Sequence, residues 1–412
     1  MVGHVAEANR RATDGVTGPS SATVPALDGV RAVAVAAVLL THVGFQTGRT
    51  AQGQIGAVLA RLDIGVTLFF LLSGFLLYRP FAGAHLALAP PPRLRAFWRN
   101  RALRILPAYW LLVAVVVPAL SWSQTTPDEL WRQALLLQSL QPDHLLAGLT
   151  QTWSLVVEAG FYVVLPGLAA LARPRGRRTA DQQLRAEGTL LGAMLLTALG
   201  WQVAVHALGV GDQRVTGLWL PGYLDWFALG MGLAVLRAWR EATGRRGLDA
   251  TAAAAGTWFV LGGLLFWLAT TPLAGPRGLE PSTAWESLGK HLLYGLAATC
   301  LLVPLVLAPP ARRSWLDRAL STRSARHLGR VSYGVFLWHL FALDLVFRLP
   351  GLAPFEGHGL VVTALAVPLS LLLAEASLRL VEEPALRRKI PAVAGRPQPS
   401  EAPRAAAGPV ES

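Results

Sequence analysis

Runs of about 20 mostly apolar residues recur along this chain with short breaks between them, the length a helix needs to cross the hydrocarbon core of a bilayer. Ten such runs can be read, near 30–48, 62–82, 102–122, 150–172, 188–209, 217–237, 251–271, 288–308, 329–349 and 359–381. The segment 130–140 is apolar but too short to span, and reads as an amphipathic helix in a loop. Composition points the same way. With 412 residues, 53% hydrophobic and 15% charged, and a mean hydropathy of +0.43, the chain is too apolar for an ordinary soluble domain. The expectation is an all-α polytopic membrane bundle.

The net charge of +13 does not indicate a nucleic-acid partner, because such a partner requires the charge on one folded face. Here the arginines fall in bursts between the apolar runs, and the bursts occupy every second loop: Arg93, Arg95 and Arg99; Arg173, Arg175, Arg177 and Arg178; Arg240, Arg245 and Arg246; and Arg312 to Arg326. The loops between carry acids such as Asp128, Glu129, Glu280, Glu286 and Glu356. Arginine-rich loops resist translocation. This pattern predicts an even number of spans and cytoplasmic termini in the cell (inner or plasma) membrane. Residues 1–25 and 391–412 read as disordered cytoplasmic tails around a transmembrane domain at 26–390. The start has no apolar core of a signal peptide. The single cysteine, Cys300, lies inside an apolar run and reads as packing, with no disulfide framework or cysteine metal site. No internal repeat of the kind that marks transporters is visible.

Ionisable groups inside spanning helices are costly, so each is a functional candidate. They are Arg31, His42, Glu158, His206, Asp225, His339 and Glu375, with Asp28, Arg101 and Arg104 at helix ends. Arg31 and His42 are eleven residues apart, which on a helix returns to within about 20° of one face and separates them by roughly 16 Å. That stripe suits a long ligand with an anionic head. Counted from its own end of a span, Glu158 falls roughly 12 Å deep, close to the depth of His42. A histidine and a carboxylate at one depth can form a general base and its orienting partner; the alternative is a polar pair that glues two helices. Asp225 and His339 fall near mid-depth, where packing is as good a reading as function.

Other chemistries lack support. There is no H-E-x-x-H, Walker A loop or dinucleotide glycine fingerprint, so neither a metal site nor nucleotide chemistry is expected. His339 and Asp344 show an H-x4-D spacing, but five residues on a helix point about 140° apart.

These residues resemble the acyltransferase-3 family of membrane O-acyltransferases, which includes O-antigen and macrolide acylases. The first helix, LDGVRAVAVAAVLLTHVG, carries the arginine-x10-histidine motif as Arg31 and His42, with Asp28 in place. The second resembles the phenylalanine-rich S-G-F helix through Phe69, Phe70, Ser73, Gly74 and Phe75. FWRNRALRILPAYW is similar to the basic R-x-x-R-I-x-P-x-Y element, with Arg101, Arg104, Pro107 and Tyr109. TWSLVVEAGFYVVLP is similar to W-S-L-x-x-E-x-x-F-Y, with Trp153, Ser154, Leu155, Glu158, Phe161 and Tyr162. SYGVFLWH matches S-Y-G-x-Y-L-x-H with Phe336 in place of a common tyrosine, and VEEPALRR resembles the closing V-E-x-P-x-x-R element.

The resemblance implies transfer of an acyl group, commonly acetyl, from cytoplasmic acyl-CoA to a hydroxyl of a carbohydrate, lipid-linked glycan or natural product. Acyl-CoA is then a donor substrate, and no permanently bound cofactor is expected. On that reading Arg31, Arg101 and Arg104 dock the CoA phosphates, where arginine forks suit phosphate oxygens. His42 acts as general base with Glu158 orienting it, and an acyl-histidine intermediate is the less favoured variant. Asp28, Ser73, Trp153, Ser154, Asp225 and His339 line the site. Ser73 beside Gly74 also reads as a helix-contact residue, and Arg31 as a snorkelling anchor. Some relatives carry a C-terminal extracytoplasmic hydrolase-like domain. This sequence ends soon after Pro384, so any second transfer step is expected to need a partner or to be absent. The rival class is a transporter or flippase with an intramembrane histidine and acid relay, which would not bind acyl-CoA. A purely structural scaffold does not account for the polar residues.

Overall fold

The computed structural model describes residues 24–121, 125–140 and 146–391. Apart from Val24, Pro25 and Pro391, the two expected tails lie outside the described residues. Ten helices carry the fold: α1 (Ala26–Gln46), α2 (Ile64–His85), α3 (Leu94–Val116), α4 (Trp153–Ala172), α5 (Ala180–His206), α6 (Leu224–Thr243), α7 (Ala255–Ala269), α8 (Ala284–Leu307), α9 (Arg323–Phe347) and α10 (Gly359–Ser377). The described residues contain no strand, and the protein is an all-α polytopic membrane bundle.

Eight of these helices are long and apolar enough to cross a membrane. The other two occupy the sixth and seventh expected runs. Helix α6 has 20 residues, about 30 Å at the helical rise, but its charges Asp225, Arg237, Arg240 and Glu241 dilute its hydropathy. The run read at 251–271 is divided by Ala254, at φ −74° and ψ 56°, into a short helix Asp249–Ala253 and α7. With 15 residues, α7 reaches about 22 Å, short of a hydrocarbon core of about 30 Å. The amphipathic segment expected at 130–140 forms a short helix, Pro127–Ala134, whose Thr126 and Glu129 cap each other's backbone N–H, followed by a 3-10 turn at Gln138–Leu140.

Close backbone approach sets the crossings that position the site. A Cβ on Gly74 of α2 would run into the carbonyl oxygen of Phe227, and one on Gly230 of α6 into that of Leu71. The two glycines let α2 and α6 touch backbone to backbone, which is how helices associate where lipid supplies no hydrophobic drive. Beside this crossing, Phe227 stacks between Phe161 and Phe70, at 3.9 and 4.7 Å between ring centroids, and ties α4 to α2 and α6. Gly230→Ala overpacks the crossing and is expected to cost about 1–3 kcal/mol. A lowered melting temperature in detergent checks this, and an unchanged one would show that the two backbones have slack.

Helix α1 packs on α9 and α2, with Gly329 of α9 beneath the carbonyl of Asp28. That contact fixes the end of α1 that bears Arg31. Arg61, only 2% exposed, donates to the carbonyls of Ala269 at 2.8 Å, Gly275 at 2.5 Å and Pro276 at 3.2 Å. Its guanidinium is thereby satisfied and fastens the loop between α7 and α8. In the interior, Glu187 of α5 accepts from Tyr78 and His85 of α2, both at 2.6 Å, so this buried carboxylate is paired as burial requires.

Candidate active site

A narrow cleft of about 100 Å³ lies among α1, α2, α3, α4 and α9. It brings together six of the residues singled out in the sequence: Arg31, Ser73, Arg101, Arg104, Ser154 and Glu158. Its remaining wall is largely leucine and phenylalanine, so the charges sit in a low-dielectric setting where each counts for more than in water.

The arginines form one cationic end. Arg31 reaches Asp28 at 3.4 Å. Arg104 donates to Glu382 at 3.2 Å and lies over the Tyr333 ring at 5.3 Å, while Arg101 lies over Tyr162 at 6.0 Å. Glu382 belongs to the closing element and is 2% exposed, so it braces Arg104 from the interior. A fourth cation stands beside them. Partial burial, with the charges of Arg101, Arg104 and Arg31 added, holds the surface-exposed Lys389 ammonium down to about 8. The crowding of like charge concentrates positive potential at this end of the cleft.

Midway along, Glu158 accepts on one oxygen from both Ser73 at 2.5 Å and Tyr162 at 2.6 Å. Ser73 is therefore more than a helix-contact residue. Tyr162 lies one helical turn from Glu158 and on the same face.

His42 is not Glu158's partner, which corrects the expected pairing. Equal depth does not make two helices neighbours: α1 packs on α9 and α2, whereas α4 packs on α2 and α3. The imidazole that meets His42 is His339, at 3.3 Å between His339 Nε2 and His42 Nδ1. The network assigns both tautomers. Nδ1 of His339 lies 2.8 Å from the carbonyl of Phe336 and Nδ1 of His42 lies 2.7 Å from that of Val38. A carbonyl only accepts, so both Nδ1 atoms carry the proton. His339 Nε2 then takes a share of the His42 N–H, and the lone pair of His42 falls on Nε2, free for a substrate. His339 is fully buried and His42 half-buried. Phe336 joins this pair to the cleft, since its side chain lines the cleft wall and its carbonyl holds His339. Asp344 pairs with Arg348 at 3.0 Å and takes no part.

The remaining candidates lie elsewhere. Trp153 lines a second cavity toward the other end of the bundle. Asp225, 2% exposed, accepts from His291 at 3.1 Å. Sequence reasoning missed Lys389 and the brace role of Glu382, although Glu382 sits in the quoted closing element. It also missed His291 and Asp63, which no local spacing links to their partners.

An imidazole held by its Nδ1 proton thus lies beyond a cation-ended cleft inside a polytopic membrane bundle. The chain belongs to the acyltransferase-3 family, whose acyltransferase-domain profile matches residues 24–375. It is similar to the peptidoglycan O-acetyltransferase OatA of Listeria monocytogenes, with 26% identity over 383 residues, 88% of this chain and 55% of that protein. The O-acetyltransferase OatA of Staphylococcus aureus shows 23% identity over 391 residues, 91% of this chain and 59% of that protein. The acyltransferase MdmB of Streptomyces mycarofaciens shows 31% identity over 166 residues, 36% of this chain and 40% of that protein. The chain thus spans under two thirds of the length of these curated relatives. No solved structure matches it.

Proposed function

We propose that the protein transfers an acetyl group from cytoplasmic acetyl-CoA, across the cell membrane, to a hydroxyl of an envelope glycan, lipid-linked sugar or natural product. The observation that carries the donor half is the convergence of Arg31, Arg101 and Arg104 in one cleft with Lys389 beside it. Their mutual repulsion is relieved by an anion of several charges, and the phosphates of CoA supply them. The cationic end belongs to the side bearing the arginine-rich loops, which supports a cytoplasmic orientation for that side.

The pantetheine arm follows the apolar cleft. Both hydroxyl bonds to Glu158 fall on Oε1, so Oε2 serves to accept from a pantetheine amide N–H. The thioester reaches the Phe336 end. His42 Nε2 takes the proton of the acceptor hydroxyl as its oxygen attacks the thioester carbonyl. The C–S bond breaks, and the leaving CoA thiolate recovers that proton from the imidazolium. His339 acts through His42, holding the ring and its tautomer.

Lys389 gives a pH test of the docking step. Its pKa is depressed by partial burial and then by the facing charges of Arg101, Arg104 and Arg31, with Glu382 paired to Arg104 on the interior side. A bound polyanion favours the charged ammonium and raises that pKa. Donor affinity is therefore full below about pH 8 and weakens as pH rises past it, by about two- to fivefold, the scale of one surface ion pair. Lys389→Gln is expected to flatten this dependence. A wild-type dissociation constant for CoA that is level from pH 7 to 9.5 would remove Lys389 from the site.

A further inference from the structure

The second cavity, about 330 Å³, has a wall unlike that of the cleft. Two imidazoles line it, His206 and His291. Nδ1 of His206 donates to the carbonyl of Ser282 at 3.1 Å and Nδ1 of His291 to Asp225 at 3.1 Å. With Nδ1 so engaged, each ring has its Nε2 to offer a ligand. Asp63 also lines the cavity and takes hydrogen bonds from Lys290, at 2.6 Å, and from Tyr294. The Lys290 charge is thus cancelled on the spot, and with the carboxylates of Glu280 and Glu286 also in the wall the cavity offers an array of acceptors that disfavours an anion.

A second feature is aromatic. Trp153, Tyr223 and Trp226 line the cavity with consecutive ring centroids 5.3 Å apart, and Trp226 stacks on His291 at 4.5 Å. Flat apolar faces beside fixed acceptors match a ligand that has C–H faces and many outward O–H donors.

The two cavities nearly meet. Val66 lines both, and Trp153 of this one is followed in the chain by Ser154 of the cleft. We infer that the second cavity is the acceptor site and that it takes a neutral, polyhydroxylated ring compound, a sugar residue of the acceptor, from the side of the bundle opposite the donor. His291 and His206 select hydroxyls through Nε2, and Asp63 with Lys290 fixes a third. This rests on the donor reading above and extends it to the other substrate.

The test uses purified full-length protein in nanodiscs with saturating desulfo-CoA. Tryptophan fluorescence is titrated with a panel of neutral methyl glycosides, mono- and disaccharide, and with n-hexanol as a lone hydroxyl on an apolar chain. Saturable binding of at least one glycoside, at least tenfold tighter than hexanol, is expected. Lys290→Gln and, at the rim, Ser282→Trp should each weaken that glycoside at least tenfold while leaving the dissociation constant of desulfo-CoA within twofold. Intact desulfo-CoA binding in the variants shows that they are folded. Desulfo-CoA binding without any saturable glycoside response overturns the acceptor proposal, as does hexanol binding as well as the glycosides or a glycoside affinity unmoved in both variants. Absence of desulfo-CoA binding in the wild type overturns the donor reading instead, whatever the glycosides do.

Discussion

Replacing His42 by alanine is expected to lower kcat for acetyl transfer by about 10²- to 10⁴-fold, the usual contribution of a positioned general base. The KM for acetyl-CoA should move little, because the imidazole lies beyond the Phe336 end of the cleft and away from the phosphates. The tautomer assignment sharpens the test. If His42 Nδ1–H is shared between Val38 and His339, a residue at 339 that still accepts a hydrogen bond preserves the base. His339→Gln should therefore retain more activity than His339→Phe, although phenylalanine is nearer the imidazole in shape. Equal losses in the two variants would make His339 a packing residue, and transfer at near wild-type rate in His42→Ala would remove His42 from the chemistry.

The second large effect is at Arg104. A hydrogen bond to a charged group contributes about 1.5–3 kcal/mol, so Arg104→Ala should raise the KM for acetyl-CoA roughly 10- to 150-fold. Arg104→Lys keeps the charge but loses the fork that reaches both a phosphate and Glu382, and should fall between. The alanine variant also leaves Glu382 buried without its cation, so the melting temperature of each variant is measured beside its kinetics. A KM unchanged in Arg104→Ala would end the docking assignment.

How far the sequence could be read follows from what one dimension contains. Hydropathy placed eight spanning helices because each is continuous and apolar, and it was least informative at α6 and α7, where charges and a break at Ala254 interrupt the signal. Counting residues from helix ends placed His42 and Glu158 at one depth. Depth is one coordinate of three, and neighbour order around the bundle decided that His42 meets His339 while Glu158 meets Ser73 and Tyr162. Arg101 and Arg104 were legible as a cationic entry because both stand near the start of α3 beside the arginine-rich loop 93–99, and Arg31 joined them through the motif that it shares with His42. Lys389 was passed over at the margin of a tail. Asp63 and its partners Lys290 and Tyr294 are more than 200 residues apart in the chain, a separation no local pattern bridges.

The central claim is that the arginine cleft holds an acyl-CoA donor, and equilibrium binding of desulfo-CoA to the purified protein in nanodiscs tests it most directly. The expected result is saturable binding that weakens at least tenfold in Arg104→Ala and is unaffected in His42→Ala. No saturable binding to the wild-type protein, or binding indifferent to Arg31, Arg101 and Arg104 alike, would contradict it and favour the transporter class.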